Sequence, residues 1–84
     1  MNYVVKLCDQ KGAFEIIIDE FNINIAKVQL GNQNINYIDA KELLIANIHN
    51  AECLLFKSGR ILVKTHDENI AKEVAEFITS WATL

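Results

Sequence analysis

The C-terminal segment, residues 65–81, constrains the fold most, because it has the pattern of an amphipathic helix and needs an apolar surface to cover. Thr65 and Glu68 have the spacing of a capping box, with Asp67 as an alternative N-cap. Earlier segments alternate apolar and polar residues, which indicates that the covered surface is a β-sheet. The apolar stripe of the helix recurs at helical spacing and consists of Ile70, Val74, Ile78 and Trp81.

Residues 13–21 allow two interpretations. Phe14, Ile17, Ile18 and Phe21 fall at i, i+3, i+4 and i+7, which is one face of a helix. The run from Ile16 to Ile18 is β-branched, and helices tolerate such runs poorly. We interpret the segment as a helix, with a strand as the alternative.

The remaining segments complete an alternating order of elements. Strands are predicted at residues 3–7, 26–30, 35–38, 52–56 and 61–65, and a second helix at residues 40–48, with Asp39 as its N-cap. Residues 52–65 form either a hairpin or one bent strand with a bulge at Gly59. The order β-α-β-β-α-β-(β)-α predicts an α+β two-layer open-faced sandwich, a mostly antiparallel sheet with helices on one face, in a single domain spanning residues 1–84.

Composition and charge exclude several function classes. The chain has 84 residues, of which 51% are apolar, and a net charge of −3. Its eight Lys and Arg residues are scattered, which argues against nucleic acid and against an anionic membrane surface as partners. No apolar run reaches membrane-spanning length, and the N-terminus lacks the pattern of a signal peptide. We therefore expect a cytoplasmic protein.

Side chains able to do chemistry are few and far apart in the sequence. Cys8, His49, Cys53 and His66 lack the close pairs of a zinc site, and the two thiols are expected to be buried and free. His66 next to Asp67 lacks a third catalytic partner, and the isolated glycines form no phosphate-binding loop. The sequence thus predicts a protein that is not an enzyme and that holds no metal or cofactor.

The predicted helix at residues 40–48 carries more apolar residues than one stripe against a sheet requires. Some of Leu44, Ile45 and Ile48 are expected to be exposed and to contact a protein partner. The alternative is that a hairpin predicted from residues 26–30 and 35–38, or a neighbouring loop, covers them. The candidate partner-binding residues are Leu43, Leu44, Asn47, Ile48 and Phe14. The oligomeric state stays open.

Residues 37–44, with the sequence YIDAKELL, resemble the start of the second helix of HPr, the phosphocarrier protein of the sugar phosphotransferase system. The resemblance implies an HPr-like fold, and it aligns Glu42 with the regulatory serine of that family. Where the family has its phosphorylated histidine, this chain reads GAFE at residues 12–15, with neither histidine nor arginine. The resemblance therefore implies a binding or regulatory module that has lost phosphocarrier chemistry.

Two further hypotheses remain from the resemblances. One is a phosphocarrier of the same system that uses His49 or His66 as the phosphorylated residue. The other rests on residues 55–64, LFKSGRILVK, which are similar to a hairpin near the C-terminus of ThiF/MoeB-type adenylyltransferases. That similarity implies an accessory domain of a sulfur-carrier activating system, without the adenylation domain.

Overall fold

In the computed structural model, which describes residues 3–7 and 12–81, a six-stranded sheet is covered on one face by two helices. The α+β class and the antiparallel sheet predicted from the sequence are confirmed. The order of elements is β-β-α-β-β-β-β-α, which differs from the predicted order. The elements are β1 (Tyr3–Leu7), β2 (Phe14–Ile18), α1 (Ile23–Asn32), β3 (Tyr37–Asp39), β4 (Leu43–Ile48), β5 (Ala51–Phe56), β6 (Arg60–Lys64) and α2 (Glu68–Trp81).

Neighbouring strands are antiparallel throughout the sheet, in the order β1-β2-β6-β5-β4-β3. Strands β3 to β6 form a meander, and the hairpin of β1 and β2 joins it through β6. The connection from β2 to β3 must cross about 19 Å, the width of four strand spacings. Helix α1 lies on this crossover and is about 15 Å long.

Burial alternates along the strands, because successive side chains of a strand point to opposite faces. The face that packs against the helices is the inner face, and the opposite one is the outer face. Helices α1 and α2 both contribute to the single core cluster on the inner face, so they share one side of the sheet. The inner-face members of this core are Ile16, Ile18, Leu44, Ala46, Ile48, Ala51, Cys53, Leu55, Ile61 and Val63, and the helical members are Ile23, Ala26, Leu30, Val74, Ala75 and Ile78.

The predicted helix at residues 13–21 is wrong, since this segment is strand β2. It pairs with β1 on one side and with β6 on the other. Phe14, Ile16 and Ile18 are buried on the inner face, while Glu15 and Ile17 are half-buried on the outer face. The β-branched run therefore outweighed the helical spacing, because both faces of a strand between two others favour branched side chains.

The predicted strand at residues 26–30 is also wrong, because these residues lie in helix α1. The Asn22 side chain caps the helix by accepting hydrogen bonds from the backbone N–H groups of Asn24 and Ile25, at 2.9 and 3.1 Å. Ala26 and Leu30, four residues apart, face the core, whereas Val28 between them is 62% exposed. Their alternation with polar residues was a coincidence of helical spacing.

The predicted helix at residues 40–48 is the third error, since Leu43–Ile48 forms strand β4. Asp39 was expected to cap a helix, and its Oδ1 instead accepts a hydrogen bond from the Lys41 N–H at 2.9 Å in a turn. Lys41 has a positive φ of 71°, which turns the chain back into β4. A carboxylate can accept a hydrogen bond from the N–H of the second residue after it in a helix cap and in a turn alike. The sequence therefore did not distinguish the two structures.

The predicted terminal helix is confirmed, and of the two alternatives for residues 52–65 the structure has the hairpin. Residues 57–59 connect β5 and β6, and the Gly59 N–H donates to the Phe56 carbonyl at 2.9 Å. Gly59 has φ of 95°, and a Cβ there would lie 2.6 Å from the Ile18 carbonyl oxygen. The helix at the end is α2, and its cap is Asp67, whose Oδ1 accepts from the Asn69 N–H at 2.9 Å.

Candidate interaction surface

The outer face of the sheet is the surface with the most apolar side chains outside the core. One row crosses four strands through the registered pairs Ile38–Ile45, Ile45–Leu54 and Leu54–Leu62. Ile38 is 64% exposed, and the other three are half-buried. A second row contains Leu43, Phe56 and Ile17, all half-buried. Within residues 12–80 the helices lie on the opposite face, so these side chains share one open surface.

Two charged pairs lie on the outer face: the first stands within the apolar rows, and the second lies in the row beyond them. Arg60 on β6 forms an ion pair with Glu15 on β2, and its guanidinium lies 5.6 Å from the centroid of the Phe56 ring. At the other end of the strands, Lys64 lies 3.2 Å from a carboxylate oxygen of Glu52 on β5. These cross-strand pairs are solvent-exposed, so each contributes only about 0–1 kcal/mol to folding. They give the surface both signs of charge at either end.

The β3 end of the outer face includes a shallow cavity of about 230 Å³. This volume is below the roughly 300–1,000 Å³ of a typical small-molecule site. The arrangement suits a protein surface better than a buried small ligand. The cavity is lined by Asn36, Tyr37, Ile38, Ile45, Ala46, Asn47 and Glu52.

Asp39, at the end of β3, connects this strand to the helix layer. The Lys27 ammonium on α1 lies 2.9 Å from the Asp39 carboxylate. The hydrogen bond from Lys27, followed by that from the Lys41 N–H, lowers the pKa of Asp39 below its usual value of 3.8. The pair is exposed and links the helix to the strand at the edge of the sheet.

The sequence-predicted partner-binding residues divide between the two faces of the sheet. Leu44, Ile48 and Phe14 are buried against the helices, with exposures of 0%, 2% and 8%. Leu43 and Asn47 lie on the outer face. The predicted contact surface on one helix therefore does not exist, because residues four apart share a face in a helix and residues two apart share one in a strand.

Glu42 is exposed in the turn before β4, where its backbone N–H donates to the Ala40 carbonyl at 2.9 Å. It was aligned with a regulatory serine at a helix N-terminus. The structure has a turn and a strand there, so the helix dipole that would have stabilised its carboxylate is absent at this position.

The thiol and imidazole groups singled out in the sequence are dispersed. Cys53 is fully buried on the inner face, and burial raises the pKa of its thiol to about 12. Its partner in the hypothetical zinc site, Cys8, lies outside the described residues. Across residues 12–80, no three His, Cys, Asp or Glu side chains come together as metal ligands.

The two histidines lie in separate turns. His49 follows β4 in a two-residue hairpin loop and contacts the Phe77 ring of α2, with ring centroids 5.4 Å apart. The His66 ring lies against Gly12, where a Cβ would come within 3.0 Å of it. Asp67, its neighbour in the sequence, caps α2 as the sequence allowed.

Sequence reasoning missed most of the outer-face residues. The signal was present in two continuous apolar runs, Ile16 to Ile18 and Cys53 to Phe56. A strand with one face in water alternates apolar and polar residues, whereas a strand with a continuous apolar run needs both faces covered. Because the first run was predicted as a helix, the need of its strand for a cover on both faces was not recognised.

No protein-family model matches the chain, and neither a curated protein nor a solved structure gives a significant match. The described helices are all too short or too polar to cross a membrane. The resemblances to HPr and to ThiF/MoeB-type proteins stay predictions. Residues 37–44, which carry the first resemblance, form β3, a turn and the start of β4.

Proposed function

We propose that this chain is a non-catalytic protein-interaction module that binds its partner through the outer face of the sheet. The observation that carries the proposal is the apolar row of Ile38, Ile45, Leu54 and Leu62, which no described element covers. Six strands at ordinary spacing make a face of roughly 500 Å². The apolar side chains occupy part of this face, and apolar surface patches of a few hundred Å² are often functional.

The charges around the face favour a protein over other macromolecules. Glu15 and Glu52 balance Arg60 and Lys64 in two ion pairs, so the face carries no excess of positive charge. A phosphate backbone or an anionic lipid surface would need such an excess. A protein surface that carries apolar side chains together with charges of both signs matches this pattern.

The proposal requires neither family resemblance. It keeps the sequence-based expectation of a non-enzymatic binding module and moves the contact from residues 40–48 as a helix to the outer face. Leu43 and Asn47 are the two predicted partner-binding residues that lie on this face.

Site-specific photo-cross-linking tests the proposal. A Leu54→p-benzoylphenylalanine variant carries the reactive group at the centre of the outer face. The matched control is Val28→p-benzoylphenylalanine, because Val28 is apolar and exposed on helix α1, on the helix side of the sheet. We expect one defined cross-linked protein from position 54 in native lysate and none from position 28.

Competition with unlabelled chain shows whether the partner binds the outer face itself. Excess unlabelled wild-type chain should abolish the cross-link from position 54, whereas excess Leu54→Lys chain should not. Leu54 is only half-buried on the outer face, so the Lys variant keeps the core intact. Equal cross-linking from positions 28 and 54, or equal competition by both chains, would refute the proposal.

A further inference from the structure

We infer that the partner on the outer face is a second copy of this chain, packed face to face about a twofold axis. This inference rests on the proposed function and names its partner. The axis runs parallel to the strands, midway between the two sheets, over the line that separates β5 from β6. Such a rotation places β6 of one copy over β5 of the other, and β2 over β4.

The strand register determines which side chains then meet. Leu62 and Leu54 are paired neighbours within one chain, so the rotation places Leu62 of each copy on Leu54 of the other. In the next row Ile17 pairs with Arg60, and Phe56 with Leu43. The same rotation brings Ile17 onto Leu43 of the second copy, so apolar residues meet apolar residues in both rows.

The charged residues complement one another under the same rotation. Lys64 and Glu52 face each other across β5 and β6 in one chain, 3.2 Å apart. The rotation therefore places Lys64 of each copy opposite Glu52 of the other and creates two ion pairs between the copies. Arg60 meets Phe56 of the second copy, which repeats across the interface the cation–π contact found within the chain.

One position fits less well, and it has a local explanation. Glu15 lies opposite Ile45 of the second copy, because Glu15 pairs with Leu62 and Ile45 with Leu54. The carboxylate of Glu15 is held by the Arg60 guanidinium of its own chain. The Arg60 guanidinium offsets the charge that would otherwise face an apolar side chain.

The charge pattern also excludes the other simple twofold arrangement. An axis perpendicular to the strands, along the apolar row, would reverse the strand direction and keep each strand over itself. Arg60 would then face Lys64 of the second copy on β6, and like charges would repel. The register thus favours the axis parallel to the strands.

The size of the face indicates a weak dimer. Two faces of roughly 500 Å² bury about 1,000 Å² together, which is the lower limit for a specific interface. Sheets that pack face to face lie about 10 Å apart with strands rotated by about 30°. The dimer has four layers, with helices on the outside and the two sheets within. It forms in a concentration-dependent equilibrium.

Sedimentation equilibrium over concentrations of about 1 μM to 1 mM tests the inference. We expect the wild-type chain to change from monomer to dimer within this range. Glu52→Lys alone and Lys64→Glu alone should each weaken association at least about tenfold, because like charges then meet across the interface. The control is Lys72→Glu on α2, an exposed charge reversal on the helix side, which should leave association unchanged.

Mixing the two charge-reversal variants gives the sharpest result. A Glu52→Lys chain has two positive side chains at this site, and a Lys64→Glu chain has two negative ones. In a heterodimer every cross-interface pair is again opposite in charge, so the equimolar mixture should associate about as strongly as wild type. A pair that acts only within one chain would not produce this recovery. Circular dichroism should show each variant to be folded.

Three outcomes would overturn the inference: a wild-type chain that stays monomeric to about 1 mM, single variants that dimerise as well as wild type, or a mixture no stronger than its components. Failure of the proposed function is distinguishable from failure of the inference. A monomeric chain whose position 54 still cross-links specifically to another protein would keep the interaction surface and remove the dimer. A monomeric chain without such a cross-link would remove both.

Discussion

Leu44 and Ile45 are neighbours on β4 whose side chains lie on opposite faces of the sheet. Leu44 is 0% exposed on the inner face, where α1 packs against β4, and Ile45 is half-buried on the outer face. Replacing either residue by Ala removes three side-chain carbons from the same strand. The pair therefore measures the difference between the two faces with almost the same change in chemistry.

The expected costs differ by a factor of two or more. A buried Leu→Ala change leaves a cavity and typically costs about 2–5 kcal/mol. Each fully buried CH₂ contributes about 0.8 kcal/mol, so removing three carbons from the half-buried Ile45 side chain should cost about 1 kcal/mol. The free energy of unfolding of a domain of this size is about 4–13 kcal/mol, so Leu44→Ala removes a large fraction of it. Its Tm should fall by at least about 10 °C, and that of Ile45→Ala by about 4–8 °C.

Urea denaturation followed by far-ultraviolet circular dichroism measures both costs. The experiment is run at low micromolar concentration, so that self-association does not add to the free energy of unfolding. The slope of the free energy against urea should be the same for wild type and both variants, which shows that the unfolded state is unchanged. If Ile45→Ala costs as much as Leu44→Ala, the assignment of faces on β4 is refuted.

Three further predictions concern turns, the buried thiol and a helix cap. Gly59→Ala should destabilise the domain by more than 1 kcal/mol, because Gly59 has a positive φ and a Cβ there would meet a backbone oxygen. Gly31→Ala, in open space near the end of α1, should instead stabilise the domain by about 0.5–1 kcal/mol. Equal effects of the two changes in thermal unfolding would contradict this. In a Cys8→Ser background the Cys53 thiol should react with a thiol reagent at pH 8 only when the chain unfolds. Because its pKa is raised to about 12 from 9.0, its contribution to stability is complete below pH 9 and is lost as the pH rises towards 12, which unfolding measured at pH 8 and pH 10 should show. Asn22→Ala should cost about 1 kcal/mol and Asn22→Asp much less in the same assay, since both N–H bonds need a side-chain acceptor.

The observed assignment of side chains to the two faces of β4 also changes which mutations test partner binding. From the sequence, Leu44→Asp and Ile48→Asp should abolish partner binding without unfolding the domain. In the structure both side chains are buried in the core, so a carboxylate at either position should unfold the chain. Leu54 and Ile45 are the residues whose substitution separates binding from folding, because they lie on the outer face.

Local signals were sufficient where one element was favoured by every feature of its sequence. For α2, the apolar stripe, the acidic cap at Asp67 and the length agree, and the helix forms as predicted. The turn chemistry at residues 57–60 allowed a hairpin or a bulged strand, and Gly59 adopts the positive φ of the hairpin turn. The α+β class followed from these elements together with the β-rich segments.

Local signals failed where two kinds of structure share the same short pattern. Residues 13–21 fit a helix face as well as a strand, and pairing with β1 and β6 decided for the strand. Asp39 is an acceptor that suits a helix cap or a turn, and pairing of β4 with β3 and β5 decided for the turn. The pairing of β2 with β6 joins residues far apart in the chain, and that of β4 with β3 and β5 involves three strands, so a pattern of nine residues contains neither.

The sequence by itself determined the class of the domain and the amphipathic terminal helix. Only the tertiary structure decided which apolar residues form the core and which form the outer face. The physical reason is that the two faces of a strand differ by what covers them. Leu54 and Leu55 are the same residue type in adjacent positions, and the helices cover Leu55 but not Leu54.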